Sequence, residues 1–300
     1  MKDFDFVKTA IEEAKAVTDE MTGSGEFDAE KLKKELLGLD VFKEINEYLQ
    51  SRENLKACEP FDVLDRKFVD LYLQYRDAYS DLYRGIEEKA YKREYASGGT
   101  EHRGYYCPGR LLEVNGGCRR GRLLKRTPNK GKRAFEYLFD EDGRMICVYE
   151  HKEFGTEKPP ISTELFVWEG DLVRSFVFEI RKWKKLPELQ WICECRYENG
   201  KIVRYEYALC GCLSFADKKE HCDRLHIETF EYENDFMKAL HWYRYIPDTH
   251  ILNDTKFYYK RDEDGNPVYD FCEEIDGFRN WKEQRASDDA QKNTQKEENQ

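Results

Sequence analysis

One pattern recurs five times between residues 134 and 275 and constrains the fold more than any other feature of the sequence. Each unit has an aromatic-rich run, a short turn rich in Asp, Asn and Gly, and a second apolar run. The turns are centred near Gly143, Gly170, Gly200, Asp235 and Gly265, at intervals of 27 to 35 residues. Such runs, joined by turn-forming residues, are typical of β-hairpins, and their regular spacing predicts an antiparallel β-meander.

The third unit, LQWICECRY-ENG-KIVRYEYAL, allows a strand register to be predicted. A three-residue loop, 198–200, pairs Tyr197 with Lys201, whereas a two-residue turn at 199–200 shifts the register by one residue and divides the apolar side chains between both faces. We therefore expect the three-residue loop. In the fourth unit Asp235 replaces the turn glycine, and we expect it to be left-handed. The predicted apolar face of the third unit comprises Leu189, Trp191, Cys193, Cys195, Tyr197, Val203, Tyr205, Tyr207 and Leu209.

The first and fifth units, FEYLFDEDGRMICVYE and FYYKRDEDGNPVYDF, resemble the tyrosine-aspartate (YD, RHS-type) repeats. Repeats of that family combine an aromatic strand, an Asp-x-x-Gly turn and a basic-aliphatic start of the return strand. The resemblance covers residues 134–275, about half of the chain, and is degenerate in the second and fourth units. It implies a hairpin sheet. The family's long spiralling sheets enclose a cargo toxin, and five hairpins are too few for that role.

The first 97 residues carry apolar side chains at helical spacing. This spacing predicts helices at 4–21, around 28–38 and around 40–49, and a long helix from about Asp62 to Ala96. We expect the long helix to pack on the chain's own sheet, with a coiled-coil dimer as the alternative.

The rest of the chain completes an α+β fold, in which N-terminal amphipathic helices pack on a large antiparallel β-meander built from about five hairpins. The predicted divisions are a helical segment at 1–97, a Gly-rich basic connector or first hairpin at 98–133, the hairpin sheet at 134–281, and a disordered tail at 282–300. A hairpin turning at Asn115-Gly116 would fit within the connector.

Composition narrows the class of protein. The chain is 37% charged, and no window approaches the ~18 apolar residues of a membrane span. The N-terminus lacks the apolar core of a signal peptide, so we expect a cytoplasmic protein without membrane association. Ten cysteines in such a chain are expected to be reduced thiols rather than a disulfide framework.

The charge is distributed unevenly. Residues 101–133 hold ten Lys or Arg against two Glu, within a chain of net charge −11. This Gly-rich basic segment would bind phosphate or nucleic acid, although it matches neither a P-loop nor a dinucleotide-binding motif. The alternative is a basic loop that pairs with the protein's own acidic surface. The candidate phosphate-binding residues are Arg103, Arg119, Arg120, Arg122, Lys125 and Arg126.

The acidic turns suggest a second kind of partner. Alternate turns of a meander lie on the same side of the sheet, so their carboxylates would form a rim that attracts a basic protein. Ordinary turn preference explains each residue singly. The rim candidates are Asp140, Asp142, Glu198, Glu233, Asp235, Asp262 and Asp264.

Motifs for catalysis are weak. The sequence has no Gly-x-Ser-x-Gly and no His-Glu-x-x-His, so we predict no catalytic residues and no cofactor. Cys210, Cys212, His221 and Cys222 are a candidate zinc set, whereas Cys193 and Cys195 are predicted to be buried strand residues.

The first hypothesis for the function is a non-catalytic protein-binding module, such as an immunity protein of a bacterial toxin system. The alternatives are a nucleic-acid or nucleotide-binding protein that uses 103–133, and a zinc-dependent enzyme.

Overall fold

The structure is a computed structural model that describes residues 40–99, 102–110, 120–180, 187–210, 221–263, 265 and 267–298. Its helices are α1 (Asp40–Leu49), α2 (Arg52–Tyr75), α3 (Tyr79–Tyr83), α4 (Ile86–Lys89) and α5 (Gly277–Glu298). Its strands are β1 (Lys92–Ser97), β2 (Arg122–Leu123), β3 (Ala134–Phe139), β4 (Met145–His151), β5 (Ser162–Glu169), β6 (Leu172–Glu179), β7 (Glu188–Glu198), β8 (Lys201–Leu209), β9 (Arg224–Glu233), β10 (Phe236–Ile246), β11 (Ile251–Arg261) and β12 (Pro267–Glu274).

All of these strands belong to one twelve-stranded sheet with the order β12-β11-β10-β9-β8-β7-β6-β5-β4-β3-β1-β2. From β3 to β12 each strand pairs antiparallel with its neighbour in sequence, and short turns join the two strands of each hairpin. The predicted mixture of helices with an antiparallel meander is confirmed. Each of the five predicted units forms two strands that pair with each other.

The register predicted for the third unit is wrong. Glu198 pairs with Lys201, so the turn is the two-residue Asn199-Gly200, and both residues have positive φ, at 51° and 75°. This backbone matches the twist of the flanking strands. A β-bulge at Val203 then restores the alternation of side chains, since Arg196 pairs with Arg204 but Tyr197 pairs with Ile202.

The bulge explains why the predicted face is largely correct although the register is not. Ile202 takes the place predicted for Val203 in the apolar cluster. The predicted face members Cys193, Cys195, Tyr197, Tyr205 and Tyr207 belong to the same apolar cluster.

In the fourth unit the residue with positive φ is Asn234, at 57°, and not Asp235.

The long helix predicted from Asp62 to Ala96 is also wrong. α2 ends at Tyr75, two short helices follow, and residues 92–97 form β1. Gly85 interrupts the helical path with a φ of 73°, and β1 pairs with β3 over five residues. Strand pairing therefore overrides the helix predicted for residues 92–96.

The helix predicted around 40–49 is α1. Three other predicted features lie outside the described residues, namely the helices at 4–21 and 28–38 and the turn at Asn115-Gly116.

Two compact units divide the chain, Met1–Cys58 with Asp276–Gln300, and Glu59–Ile275. In the first unit, Tyr48 of α1 contacts the rings of Phe278 and Trp281 at centroid distances of 5.5 and 5.8 Å. Lys282 pairs with Glu44 at 2.5 Å. These contacts hold the start of α5, a helix of 22 residues in the region predicted to be a disordered tail.

In the second unit the sheet is covered differently on its two faces. On one face α2 stacks Tyr75 on Phe176 with centroids 4.2 Å apart, and Lys67 of the same helix pairs with Glu194 and with Glu206, the latter at 3.3 Å. On the opposite face lie the cluster that contains Cys193 and Cys195 and, across it, residues 102–110. Among the described residues, no helix is both long and apolar enough to span a membrane.

Candidate ligand-binding cleft

A cleft of about 610 Å³ lies between residues 102–110, together with Arg120, and the turn-side ends of the hairpins. Its volume is in the range of small-molecule sites in proteins. Four of its lining residues are basic, namely Arg103, Arg110, Arg120 and Lys201. Eight are aromatic, namely Tyr105, Tyr106, Phe139, Phe166, Trp168, Tyr197, Phe230 and Tyr232. None of the lining residues that the structure describes is acidic.

Residues 102–110 are fixed to the sheet by hydrogen bonds to their backbone. The buried hydroxyl of Tyr137 donates to the Arg103 carbonyl at 2.8 Å and accepts the Tyr105 N–H at 3.1 Å. Gly104 has a φ of 55°, and a Cβ there would lie 2.5 Å from the Phe135 ring, so only glycine allows this approach.

Arg120 joins the second part of the basic segment to the first. Its guanidinium donates to the carbonyl oxygens of Tyr105 at 3.1 Å, of Gly109 at 2.8 Å, and of Cys107. Glu228 of β9 accepts the Arg110 N–H at 2.7 Å. Arg120 and Glu228 therefore fix the backbone of residues 105–110, which faces the aromatic side of the cleft.

Arg103 is buried although it is basic. Its Nε donates to Glu164 Oε1 and its Nη2 donates to Ser175 Oγ, each at 2.7 Å, and its guanidinium lies 4.8 Å from the Phe166 ring centroid. Burial alone would raise the pKa of Glu164, but the charges of Arg103 and His102 outweigh it and hold that pKa below its ordinary value. The pair is therefore ionised at neutral pH.

His102 lies beside this ion pair. Its Nε2 is 3.0 Å from Glu164 Oε2 and 4.0 Å from Cys193 Sγ, and its Nδ1 is 3.0 Å from the Tyr205 hydroxyl. Burial raises the pKa of the Cys193 thiol well above its ordinary value, and the charge of Glu164 adds to this effect. Cys193 is therefore a neutral thiol in the structure as it stands.

The aromatic wall comes from neighbouring hairpins. Trp168 and Tyr197 stack with centroids 6.2 Å apart and an interplanar angle of 26°. The Trp168 indole N–H donates to the Met145 carbonyl at 2.8 Å, which fixes its ring. Tyr232 donates to the Ile202 carbonyl at 3.0 Å. Burial raises the pKa of Tyr197 and of Tyr232, so both rings stay uncharged at neutral pH.

The structure separates the predicted phosphate-binding residues. Arg103 and Arg120 line the cleft, whereas Arg122 lies on the edge strand β2, and Lys125 and Arg126 are exposed beyond it and do not line it. Arg119 is outside the described residues. The aromatic wall and Lys201 were not among the predicted site residues. The alternation of the hairpin strands was the available signal, but it does not identify which apolar side chains remain partly accessible.

The predicted acidic rim is partly neutralised by neighbouring bases. The five hairpin turns share one edge of the sheet because each joins an odd-numbered strand to the next. Asp142 pairs with Arg144 at 3.1 Å and Asp235 pairs with Lys201 at 2.7 Å, while Asp140 Oδ1 accepts the Arg144 N–H at 2.8 Å. The hydrogen bond with Lys201 lowers the pKa of Asp235. The other rim candidates are Glu198 and Glu233, both exposed, Asp262, partly buried, and Asp264, outside the described residues.

The candidate zinc set is only partly described, since Cys212 lies outside the described residues. Cys210 Sγ and Cys222 Sγ are 3.7 Å apart and buried. His221 Nδ1 lies 2.7 Å from Asp65 Oδ2, and Asp65 Oδ1 accepts the Cys222 N–H at 2.8 Å. Asp65 of α2 thus holds His221 and the Cys222 backbone, and zinc binding by this set stays a prediction.

Comparisons of the chain with protein-family models, with curated proteins and with solved structures find no match.

Proposed function

We propose that the chain binds a ligand of the nucleotide class in this cleft, with a planar base against the aromatic wall and phosphate near the basic residues. The observation that carries the proposal is the lining itself, which combines four bases with eight aromatic rings and, over the described residues, no carboxylate. Aromatic rings accept the face of a base, and guanidinium groups bind phosphate oxygens in pairs.

The basic and aromatic groups meet at one end of the cleft. The Lys201 ammonium lies 5.4 Å from the Tyr232 ring centroid. The positive charges of Arg110 and Lys201 both act on the Tyr232 hydroxyl, where they oppose the effect of burial on its pKa. Tyr197 pairs with Ile202, the residue that follows Lys201, so this end of the cleft adjoins the Trp168–Tyr197 stack.

The net charge of the chain limits where an anionic ligand would bind. A chain of net charge −11 repels polyanions at long range, so binding would depend on the cleft rather than on the general surface. Arg103 is paired with Glu164 and Lys201 with Asp235, while Arg120 donates to three backbone carbonyl oxygens, so phosphate would exchange with contacts that these bases already make. Apart from the buried Arg103, the lining has three bases that would contact phosphate in this way, Arg110, Arg120 and Lys201. For a single strand this corresponds to a slope of log K against log salt no steeper than about −2, at roughly −0.7 per phosphate contact.

Isothermal titration of the full chain with ATP, with inorganic triphosphate and with a short single-stranded oligothymidylate tests the proposal. We expect ATP or the oligonucleotide to bind more tightly than triphosphate. Trp168→Ala should weaken binding about 5- to 150-fold, because stacking contributes about 1–3 kcal/mol per base. A preference between the two base-containing probes distinguishes a mononucleotide site from a single-strand site.

Trp242→Ala is the matched control, since Trp242 is also half-buried and belongs to the same apolar cluster but does not line the cleft. It should leave the Kd unchanged. Equal losses in the two tryptophan variants, equal binding of triphosphate and ATP, or no binding of any probe would each refute the proposal. The basic protein partner at the acidic turns stays a prediction, and the pairing of Asp142 and Asp235 weakens the field that would attract it.

A further inference from the structure

Three side chains that bind metals in other proteins converge behind the cleft. His102 precedes the 3₁₀ turn Gly104–Tyr106, Glu164 lies on β5 and Cys193 lies on β7. One ligand atom of each lies within 4.8 Å of the other two, and no other group of three among the described residues meets this condition. We propose that His102 Nε2, Glu164 Oε2 and Cys193 Sγ bind a zinc ion.

Two of the three separations between the ligand atoms are close to those around a tetrahedral ion. Zinc binds imidazole nitrogen, carboxylate oxygen and thiolate sulfur at about 2.0–2.3 Å, so neighbouring ligand atoms are separated by roughly 3.3–3.8 Å. Nε2 lies 3.0 Å from Oε2 and 4.0 Å from Sγ. Side-chain movements of roughly half an ångström would bring both separations into that range.

The surrounding groups already orient the ligand atoms. The Tyr205 hydroxyl lies 3.0 Å from Nδ1, which leaves Nε2 directed at Glu164 and Cys193. Arg103 and Ser175 both donate to Oε1 of Glu164, at 2.7 and 2.5 Å, so Oε2 is the oxygen that faces His102. Partners of this kind on the far side of a ligand hold its metal-binding atom in position.

The charge and proton balance is consistent with zinc. Binding would release the Cys193 thiol proton, so that a thiolate, the Glu164 carboxylate and the His102 imidazole nitrogen would be the three ligands. With Arg103 included, the site would carry one positive charge. Three protein ligands leave a fourth position, which is the arrangement of catalytic rather than structural zinc, and a hydroxide or an anionic ligand there would neutralise that charge.

The inference does not rest on the proposed function, because the three atoms lie beneath the cleft and are not among its lining. Arg103 links the two sites, since it lines the cleft and donates to Glu164. Zinc binding and nucleotide binding can therefore succeed or fail separately.

The test measures metal bound to the purified full chain, followed by removal with a chelator and titration with Zn²⁺ and Co²⁺. We expect about one zinc per chain and, with Co²⁺, the absorption of a tetrahedral site with a thiolate ligand. Cys193→Ala should abolish both signals. Tyr205→Phe, at a positioning residue, should weaken zinc binding about 10- to 100-fold.

Cys195→Ala is the matched control, because Cys195 is a buried cysteine two residues along the same strand and in the same cluster. It should bind zinc as the wild type does. Zinc should also raise the Tm of the stripped wild type but not of Cys193→Ala, a readout that separates lost binding from lost folding. Absence of stoichiometric zinc, or its loss in Cys222→Ala but not in Cys193→Ala, would overturn the proposal.

Discussion

His226 should make the stability of the protein fall as the pH is lowered below about 6.5. It lies on β9, where its ring stacks on Tyr207 with centroids 4.6 Å apart and its Nδ1 accepts the Trp242 indole N–H at 3.4 Å. Its Nε2 is buried and has no hydrogen-bond partner among the described residues. Burial, and then the charges of Arg224 and Arg244, lower the pKa of His226 from 6.5 to about 3.

The sign and the size of the effect follow from proton linkage. Between the folded pKa of about 3 and the unfolded value of 6.5, the unfolded chain binds a proton at His226 that the folded chain excludes. The free energy of unfolding therefore rises with pH in this window, by about 1.4 kcal/mol per pH unit from this group. At pH 5 the protein should have lost about 2 kcal/mol relative to pH 7.5 through His226 alone.

Urea unfolding of the wild type and of His226→Gln between pH 5 and 7.5, at constant ionic strength, measures this contribution. Glutamine has no ionisable group but keeps an acceptor for Trp242. The wild-type value minus the variant value should be constant above about pH 7 and fall by about 2 kcal/mol at pH 5. Parallel curves for wild type and His226→Gln over the whole range would refute the reasoning.

Two further predictions concern the buried ion pair and the third hairpin turn. With chelator present, Glu164→Gln should lower the free energy of unfolding by about 3–5 kcal/mol, because Arg103 stays buried without its carboxylate. Glu169→Gln, which removes an exposed partner of Arg174, should cost at most about 1 kcal/mol; equal losses would contradict this reasoning. Asn199→Ala should cost about 1–2 kcal/mol in urea unfolding because φ is 51°, whereas Asn199→Gly should cost nothing; a loss with glycine as large as with alanine would contradict the turn assignment.

The hairpins were predictable because the information that specifies them is local. Turn residues and alternating strands lie within a few residues of each other, and Gly143, Gly170, Gly200 and Gly265 all have the positive φ that such turns require. The register of β7 and β8 was not predictable in the same way. The bulge at Val203 compensates for the two-residue turn, and a bulge depends on how both strands meet their other neighbours.

The end of the helix predicted from Asp62 to Ala96 could not be placed from local information either. Residues 92–96 were included in the predicted helix, but they pair with β3 and contribute the buried Ala96 to the core. Propensity and spacing describe what a segment forms alone, and a complementary strand edge changes the outcome. β3, which is itself part of a predicted hairpin, offers that edge about 40 residues later in the chain.

Local sequence information is enough to predict an antiparallel meander with a basic segment next to it, because short-range turn chemistry and local charge need no tertiary partner. The packing of the folded chain places residues 102–110 over one face of the sheet and buries Arg103 on Glu164. It also brings Trp168, Tyr197 and Tyr232 to one cleft. His102, Glu164 and Cys193 are separated by 29 to 91 residues along the chain. No local spacing relates them, and their meeting depends on strand order and on the path of residues 102–110 over one face.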